Sequence, residues 1–281
     1  MPIPDFVPRD LETLGFDLPQ ELLDQLERYL DLVLKANETT NLTAIKHREL
    51  AWSRLIVDSL TPLPAMAHDD DDEGDEGEGD QEEGDQNQAS TSDQASDQDS
   101  DQDQDASRPN NAPPLKLIDI GTGAGLPGIP LAIARPDVDV TLVDGTGKKI
   151  RFLESVVAEL GLTNVTPLNA RVEDVGQDPA HRGRYDIAVS RAVGPLPVVL
   201  EYSLPLLKLG GVMLAMKGPK AEQELRDSGD AMSLLGGGEV TVVEAYPESF
   251  DNELVIVMVA KEDATPSMYP RVSGTPKKEP L

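Results

Sequence analysis

Cysteine is absent from the 281 residues, which excludes disulfides and thiolate metal sites. The three histidines, His47, His68 and His181, are too scattered for a metal-ligand pattern, and no metal is expected. Aromatic residues make up only 4% of the chain, so a platform for stacking bases is not evident. Trp52, Phe152 and Tyr202 are assigned to the core instead. No run approaches the roughly 18 apolar residues of a membrane span, and the first residues lack the basic-then-apolar layout of a signal peptide. A cytoplasmic protein is expected.

What the sequence has in excess is negative charge, a formal net of −28. Such a charge opposes a nucleic-acid partner, because phosphate binding rests on Lys and Arg. The excess is local, however. Residues 69–105 hold 18 of the 52 acidic groups and no Lys or Arg, so the rest of the chain carries −10. The stretch 69–111 is built mostly from Asp, Glu, Gly, Gln, Ser and Asn, with no Val, Leu, Ile or Met, a composition that cannot offset its ordering entropy. It is expected to be a disordered acidic insertion between an N-terminal helical segment, 1–68, and an α/β domain, 112–261. Its plain reading is a solvated linker; an interaction arm is the sharper one.

In the first segment Leu22, Leu26, Tyr29 and Val33 recur at helical spacing after Pro19, and a second helix places Trp52, Ile56 and Leu60 on one face. A turn is expected between them at Asn37-Glu38-Thr39-Thr40-Asn41. After the insertion, apolar runs at 115–120, 139–143, 165–168, 185–189 and 212–216 alternate with helical periodicity, which predicts βαβ crossovers and a mostly parallel sheet. Two further runs, 240–243 and 254–259, have no helix between them and read as an antiparallel hairpin at the sheet edge. Residues 262–281, with Pro266, Pro270 and Pro276, read as a flexible tail.

The densest chemistry follows the first strand, Leu117-Ile118-Asp119-Ile120-Gly121-Thr122-Gly123-Ala124-Gly125. Glycines at 121, 123 and 125 let backbone approach a ligand closely where a helix begins. Gly123 to Gly128 also satisfies the dinucleotide fingerprint, so the loop alone leaves NAD open. Three features favour S-adenosylmethionine. Asp119 suits the amino-acid end of that ligand and would repel a pyrophosphate; Pro127 and Pro130 suit a short, stiff helix start; the terminal hairpin is foreign to a double dinucleotide fold. Asp144 ends the second strand, where a carboxylate accepts from both ribose hydroxyls, although it also reads as a turn aspartate before Gly145. Glu173, after the third strand, could meet the adenine amino group.

These motifs, Leu-Ile-Asp-Ile-Gly-Thr-Gly-Ala-Gly-Leu-Pro-Gly-Ile-Pro, then Asp144 with Gly147-Lys148-Lys149-Ile150-Arg151-Phe152-Leu153, then Val189-Ser190-Arg191-Ala192, resemble the RsmG (glucose-inhibited division protein B) methyltransferases. Asn41-Leu42-Thr43-Ala44-Ile45 and Asp58-Ser59-Leu60 match that family's leader. The likeness spans residues 20–260 apart from the insertion. It implies a Rossmann-like class I methyltransferase fold, S-adenosyl-L-methionine as cofactor, and methyl transfer to N7 of a guanosine in 16S ribosomal RNA of the small subunit. It also implies cofactor contacts at Gly121, Leu126, Val172, Glu173 and Arg191, beside those already read at Asp119, Gly123, Gly125 and Asp144. The family tends to carry a histidine just before the Asp-Ser-Leu triplet; this chain has Leu55, so no role for that histidine carries over.

Guanine N7 presents a lone pair and no proton, so transfer from a sulfonium methyl calls for alignment rather than a general base. Arg191, ending the fourth strand, is assigned to positioning cofactor and substrate, and Lys217, ending the fifth, to the substrate; each also reads as a salt-bridge or loop-end cation. Lys148, Lys149, Arg151, Arg182, Arg184 and Lys220 are further candidates for phosphate contact. The rival readings are an NAD-dependent oxidoreductase and a non-catalytic nucleotide-binding scaffold with an acidic arm. A phosphate-binding loop is disfavoured, because Gly147-Lys148-Lys149 lacks the glycine spacing and the following Ser or Thr. A monomer is expected.

Overall fold

β1 (Leu115–Ile120) is the strand on which the sheet is centred. Its last four residues, Asp119 among them, are all buried, as in a parallel strand covered on both faces. The computed structural model describes residues 3–66, 113–244, 247, 250 and 254–281. The acidic stretch 69–111 lies outside them.

β1 pairs in parallel with β2 (Val138–Asp144) on one side and β4 (Tyr185–Arg191) on the other; β3 (Val165–Asn169) lies outside β2 and β5 (Leu207–Lys217) outside β4. The antiparallel pair β6 (Gly237–Val243) and β7 (Val255–Lys261) completes the order β3-β2-β1-β4-β5-β7-β6, with β7 against β5. The chain leaves β1 toward β2 on one side and returns to β4 on the other, so a crevice opens at the C-terminal ends of these strands. β5 begins five residues before the expected run. Gly210 and Gly211 conceal its start, and Gly211 is required because a Cβ there would come within 2.8 Å of the Asp186 carbonyl oxygen.

The helices are α1 (Phe6–Thr13), α2 (Gln20–Thr40), α3 (Arg48–Ala51) and α4 (Asp58–Leu60) ahead of the sheet and, between its strands, α5 (Gly128–Ala134), α6 (Gly147–Leu160), α7 (Val172–Gln177), α8 (Leu196–Ser203), α9 (Ala221–Arg226) and α10 (Gly229–Leu235). α8 is buried on every side, its Leu196, Val198, Val199 and Leu200 packing with Ile118, Ile120, Met213 and Ala215 of the sheet. Glu201, in the same helix, is 0% exposed, and burying a carboxylate demands a partner.

The N-terminal segment packs on this body. Tyr29 Oη donates to the Ala124 carbonyl at 2.9 Å and Gln25 Nε2 to that of Leu160 at 3.1 Å. Its first helix (Phe6–Thr13) was not foreseen. The second (Gln20–Thr40) buries Leu23, Leu26, Tyr29, Leu30 and Val33, with Leu22 half-buried, and runs through the expected turn to stop at Asn41 in the left-handed region, φ 49°. The turn chemistry of Asn37 is real but is used from inside the helix, its Oδ1 accepting from the N–H groups of Leu42 and Thr43. Helical residues Arg48–Ala51, a π-helical stretch Trp52–Val57 and Asp58–Leu60 follow without a break. The wider turn shifts the register, so Leu55, Val57, Asp58 and Ser59 are buried with Trp52, Ile56 and Leu60 rather than one stripe alone.

The residues after Glu262, expected to hang loose, are tied to the body. Arg271 Nη2 meets Glu201 Oε2 at 2.6 Å, and Arg182 donates to the carbonyls of Thr265, Pro266 and Tyr269. A last helical turn, Thr275–Lys278, closes the chain. The prolines that suggested disorder instead shape a segment whose partners lie far away in sequence.

Candidate functional site

A cavity of about 570 Å³ opens at the C-terminal ends of β1 to β4. Of the cofactor contacts expected from sequence, Gly121, Asp144, Val172 and Glu173 line it, as does Lys149 of the phosphate-contact candidates. Gly121 has φ 69°, and a Cβ there would come within 3.0 Å of Val193, so only glycine leaves this wall open.

Asp119, Gly123, Gly125 and Leu126 support the cavity from behind. Asp119 Oδ2 accepts from Thr122 Oγ1 at 2.6 Å and from the Gly128 N–H at 2.9 Å, which clamps the strand end to the start of α5. Gly128 itself admits no side chain, since a Cβ would lie 2.3 Å from Leu142 Cδ2. Gly123 donates its N–H to Asp144 Oδ2 at 3.2 Å. Gly125, at φ 102°, lets Ile129, Leu153 and the Tyr29 hydroxyl close over the loop, and Leu126 is buried. Asp144 also caps the next turn, its Oδ1 accepting from Thr146 N–H at 2.8 Å, and meets Lys149 Nζ at 3.1 Å.

Asp119 is fully buried, and its Oδ1 has no hydrogen-bond partner. Burial pushes its carboxyl up from 3.8 to about 6, against the pull of the Thr122 and Gly128 hydrogen bonds and the Arg191 charge. The folded protein therefore holds a proton in a window where the unfolded chain has lost it. Stability on this account is highest at the acid end and falls as pH rises from about 4 to about 6. In urea titrations at pH 4.5 and 7, Asp119→Asn is expected to lose less stability over that interval than the parent; equal losses would refute it.

Arg191 and Lys217 lie in a second cavity of about 290 Å³ at the ends of β4 and β5, with Asp58 and Glu224. Ala192, at φ 55°, is shared by the two cavities. Arg191 Nη1 donates to Asp58 Oδ2 at 2.8 Å, Ser59 Oγ at 3.2 Å and the Arg54 carbonyl at 3.2 Å. Lys217 Nζ donates to the Gly194 carbonyl at 2.7 Å and Glu224 Oε2 at 2.8 Å. Both cations are thus held by the protein at the mouth of the site.

Sequence reasoning missed Tyr202 and the chain end. Tyr202 is buried as expected, yet its hydroxyl donates to Glu173 Oε1 at 3.2 Å and it lines the first cavity. Ser273, Gly274, Lys277 and Lys278 also line that cavity, and Gly274 donates its N–H to the same Glu173 oxygen at 2.8 Å. Neither carries a local sequence signal. Among the described residues no group of His, Asp and Glu could hold a metal ion, and no helix is long and apolar enough to cross a membrane.

A seventh strand inserted antiparallel between the fifth and the sixth separates the methyltransferase form of this sheet from the dinucleotide form, which continues parallel; the chain is a class I, Rossmann-like methyltransferase. The family model described as rRNA small subunit methyltransferase G matches residues 22–80 and 106–254, and the chain belongs to that family. The ribosomal RNA small subunit methyltransferase G of Leuconostoc citreum is 36% identical over 276 residues, covering 96% of both chains. That of Lactobacillus johnsonii is 33% identical over 278 residues, covering 99% of both. The Desulfitobacterium hafniense relative is 48% identical over 167 residues, 59% of this chain and 70% of that one.

Proposed function

We propose that this methyltransferase, with S-adenosyl-L-methionine as methyl donor, acts on N7 of a guanosine in 16S ribosomal RNA of the small subunit, in the cytoplasm and as a monomer. The observation that carries the reading is the pair of adjoining cavities joined at Ala192: one has a carboxylate placed for a ribose, Asp144, and the other holds cations at the strand ends, Arg191 and Lys217. Family membership favours this over an NAD-dependent oxidoreductase or a non-catalytic scaffold.

The residues present fit the cofactor. Asp119 has a buried carboxylate oxygen without a partner behind the glycine loop, which would meet the amino-acid end directly or through water, and Gly121 puts no side chain on the cavity wall. Asp144 would accept from the ribose, and Val172 and Glu173 would flank the base. The cofactor supplies an electrophilic methyl on a sulfonium; N7 supplies the electron pair and loses no proton, so the protein need only align the two. Arg191 and Lys217, held in place by Asp58 and Glu224, would offer their remaining N–H donors to the acceptor nucleotide without spending conformational entropy on binding.

Mapping N7-methylguanosine in 16S ribosomal RNA from cells with and without the gene tests the proposal. Loss of one such site with the gene, and its return with the parent but not an Asp144→Ala copy, is expected. An unchanged map would overturn it. RNA binding should weaken steeply with salt, since local basic groups must outweigh an acidic whole.

A further inference from the structure

We propose that residues 273–278 form the base-side wall of the cofactor cavity and set the Glu173 carboxylate for the adenine amino group, which makes the chain end a specificity element. The inference rests on the cofactor reading above. Glu173 is 5% exposed, and two donors converge on its Oε1: the Tyr202 hydroxyl at 3.2 Å and the Gly274 N–H at 2.8 Å. A carboxylate held this way at one oxygen presents the other in a fixed direction, as reading an amino group requires. Asp144, Ala170, Arg171 and Glu173 line the same cavity as Gly274, so with the ribose at Asp144 and the base at Glu173 the Gly274 segment would border the base.

The fold is built to bring the chain end there. Pro270 rests on α7, the helix that carries Glu173, and does so at Gly176: a Cβ on Gly176 would lie 2.6 Å from Pro270 Cγ. Gln177 Nε2 donates to the Pro270 carbonyl at 2.8 Å. Arg271 gives its backbone N–H and its guanidinium to Glu201, a carboxylate with no exposure of its own. These moorings, on α7 and α8, come just before residues 273–278, and all of the segment falls beyond the stretch matched by the family model.

The test uses calorimetric titration of three chains with S-adenosylhomocysteine, its 6-deamino analogue and its N6-benzyl analogue. The full-length chain is expected to bind the first, to prefer it to the deamino form on the order of 10-fold, and to reject the benzyl form. A chain ending at Val272 keeps Arg271 on Glu201 but lacks the wall; it should bind S-adenosylhomocysteine about 10-fold more weakly and admit the benzyl form nearly as well. Full-length Tyr202→Phe should still exclude the benzyl form while its preference over the deamino form shrinks severalfold. If the shortened chain does not fold, full-length Gly176→Ala, which pushes Pro270 off α7, should admit the benzyl form in its place. Continued rejection of the benzyl form by a folded shortened chain or by Gly176→Ala would overturn the wall, and an unchanged preference in Tyr202→Phe would overturn the setting of Glu173. Failure of the full-length chain to bind S-adenosylhomocysteine at all would instead overturn the cofactor reading, and the proposal with it.

Discussion

Arg191→Ala is expected to cost about 3 kcal/mol of stability and to abolish methyl transfer, two losses with one cause. The guanidinium joins the end of β4 to the N-terminal segment through Asp58, Ser59 and the Arg54 carbonyl. Asp58 is only 9% exposed, and removing the cation beside a carboxylate out of water takes away much of what offsets its desolvation. The figure stands at the low end for a buried pair because the two side chains keep 18% and 13% of their exposure. Against a typical total of about 5–15 kcal/mol this is a large share. The same contact fixes the partition between the two cavities, so the acceptor side should loosen even when the chain is folded. Arg191→Lys should recover part of the stability through Asp58 while leaving the Ser59 and Arg54 contacts unmade, and transfer should recover less than stability. Urea unfolding and single-turnover transfer, both at a temperature where every variant is folded, check this; a loss below about 1 kcal/mol with full transfer would refute it.

This double duty was legible only in half. Val189-Ser190-Arg191 and Asp58-Ser59-Leu60 stand out as separate motifs in the chain, and nothing in either says that they touch. Strand limits were readable wherever burial is continuous: β1 was expected at 115–120 and spans Leu115–Ile120. The glycine loop was readable because positive φ at 121, 123 and 125 leaves a mark in residue type. By contrast, the chain end owes its position to Glu201 and Arg271, 70 residues apart, and to a glycine in α7 that reads as a weak helix residue. Long-range ion pairs leave no period to detect. Tyr202 shows the same limit at one residue, since apolar spacing accounts for its burial but not for the partner of its hydroxyl.

The same difference separates the two carboxylates of the cofactor site. Asp119 and Asp144 look alike in sequence, each close to the end of its strand, yet one is sealed behind the loop while the other lines the cavity. Asp119 therefore acts chiefly on the loop, through Thr122 and Gly128, and reaches a ligand only by its unpartnered oxygen. Asp144 does both jobs at the cavity wall: it receives Gly123 and Thr146 from the two loops and still has lone pairs for the ribose, because Lys149 is partly exposed and can swing aside.

Asp144→Ala is accordingly expected to weaken S-adenosylhomocysteine binding on the order of 100-fold, the worth of one or two charge-assisted hydrogen bonds. The loss alone does not say whether the carboxylate touches the ribose or merely holds Gly123 and Thr146 in place. A cycle separates the two: parent and variant are each titrated with S-adenosylhomocysteine and with its 2′,3′-dideoxy counterpart. If Asp144 accepts from the ribose hydroxyls, the parent should lose much of its affinity for the dideoxy ligand and the variant should hardly distinguish the two. If it only shapes the loop, alanine should weaken both ligands by the same factor. Equal factors for the two ligands would remove Asp144 from the ribose and leave it as a loop anchor like Asp119.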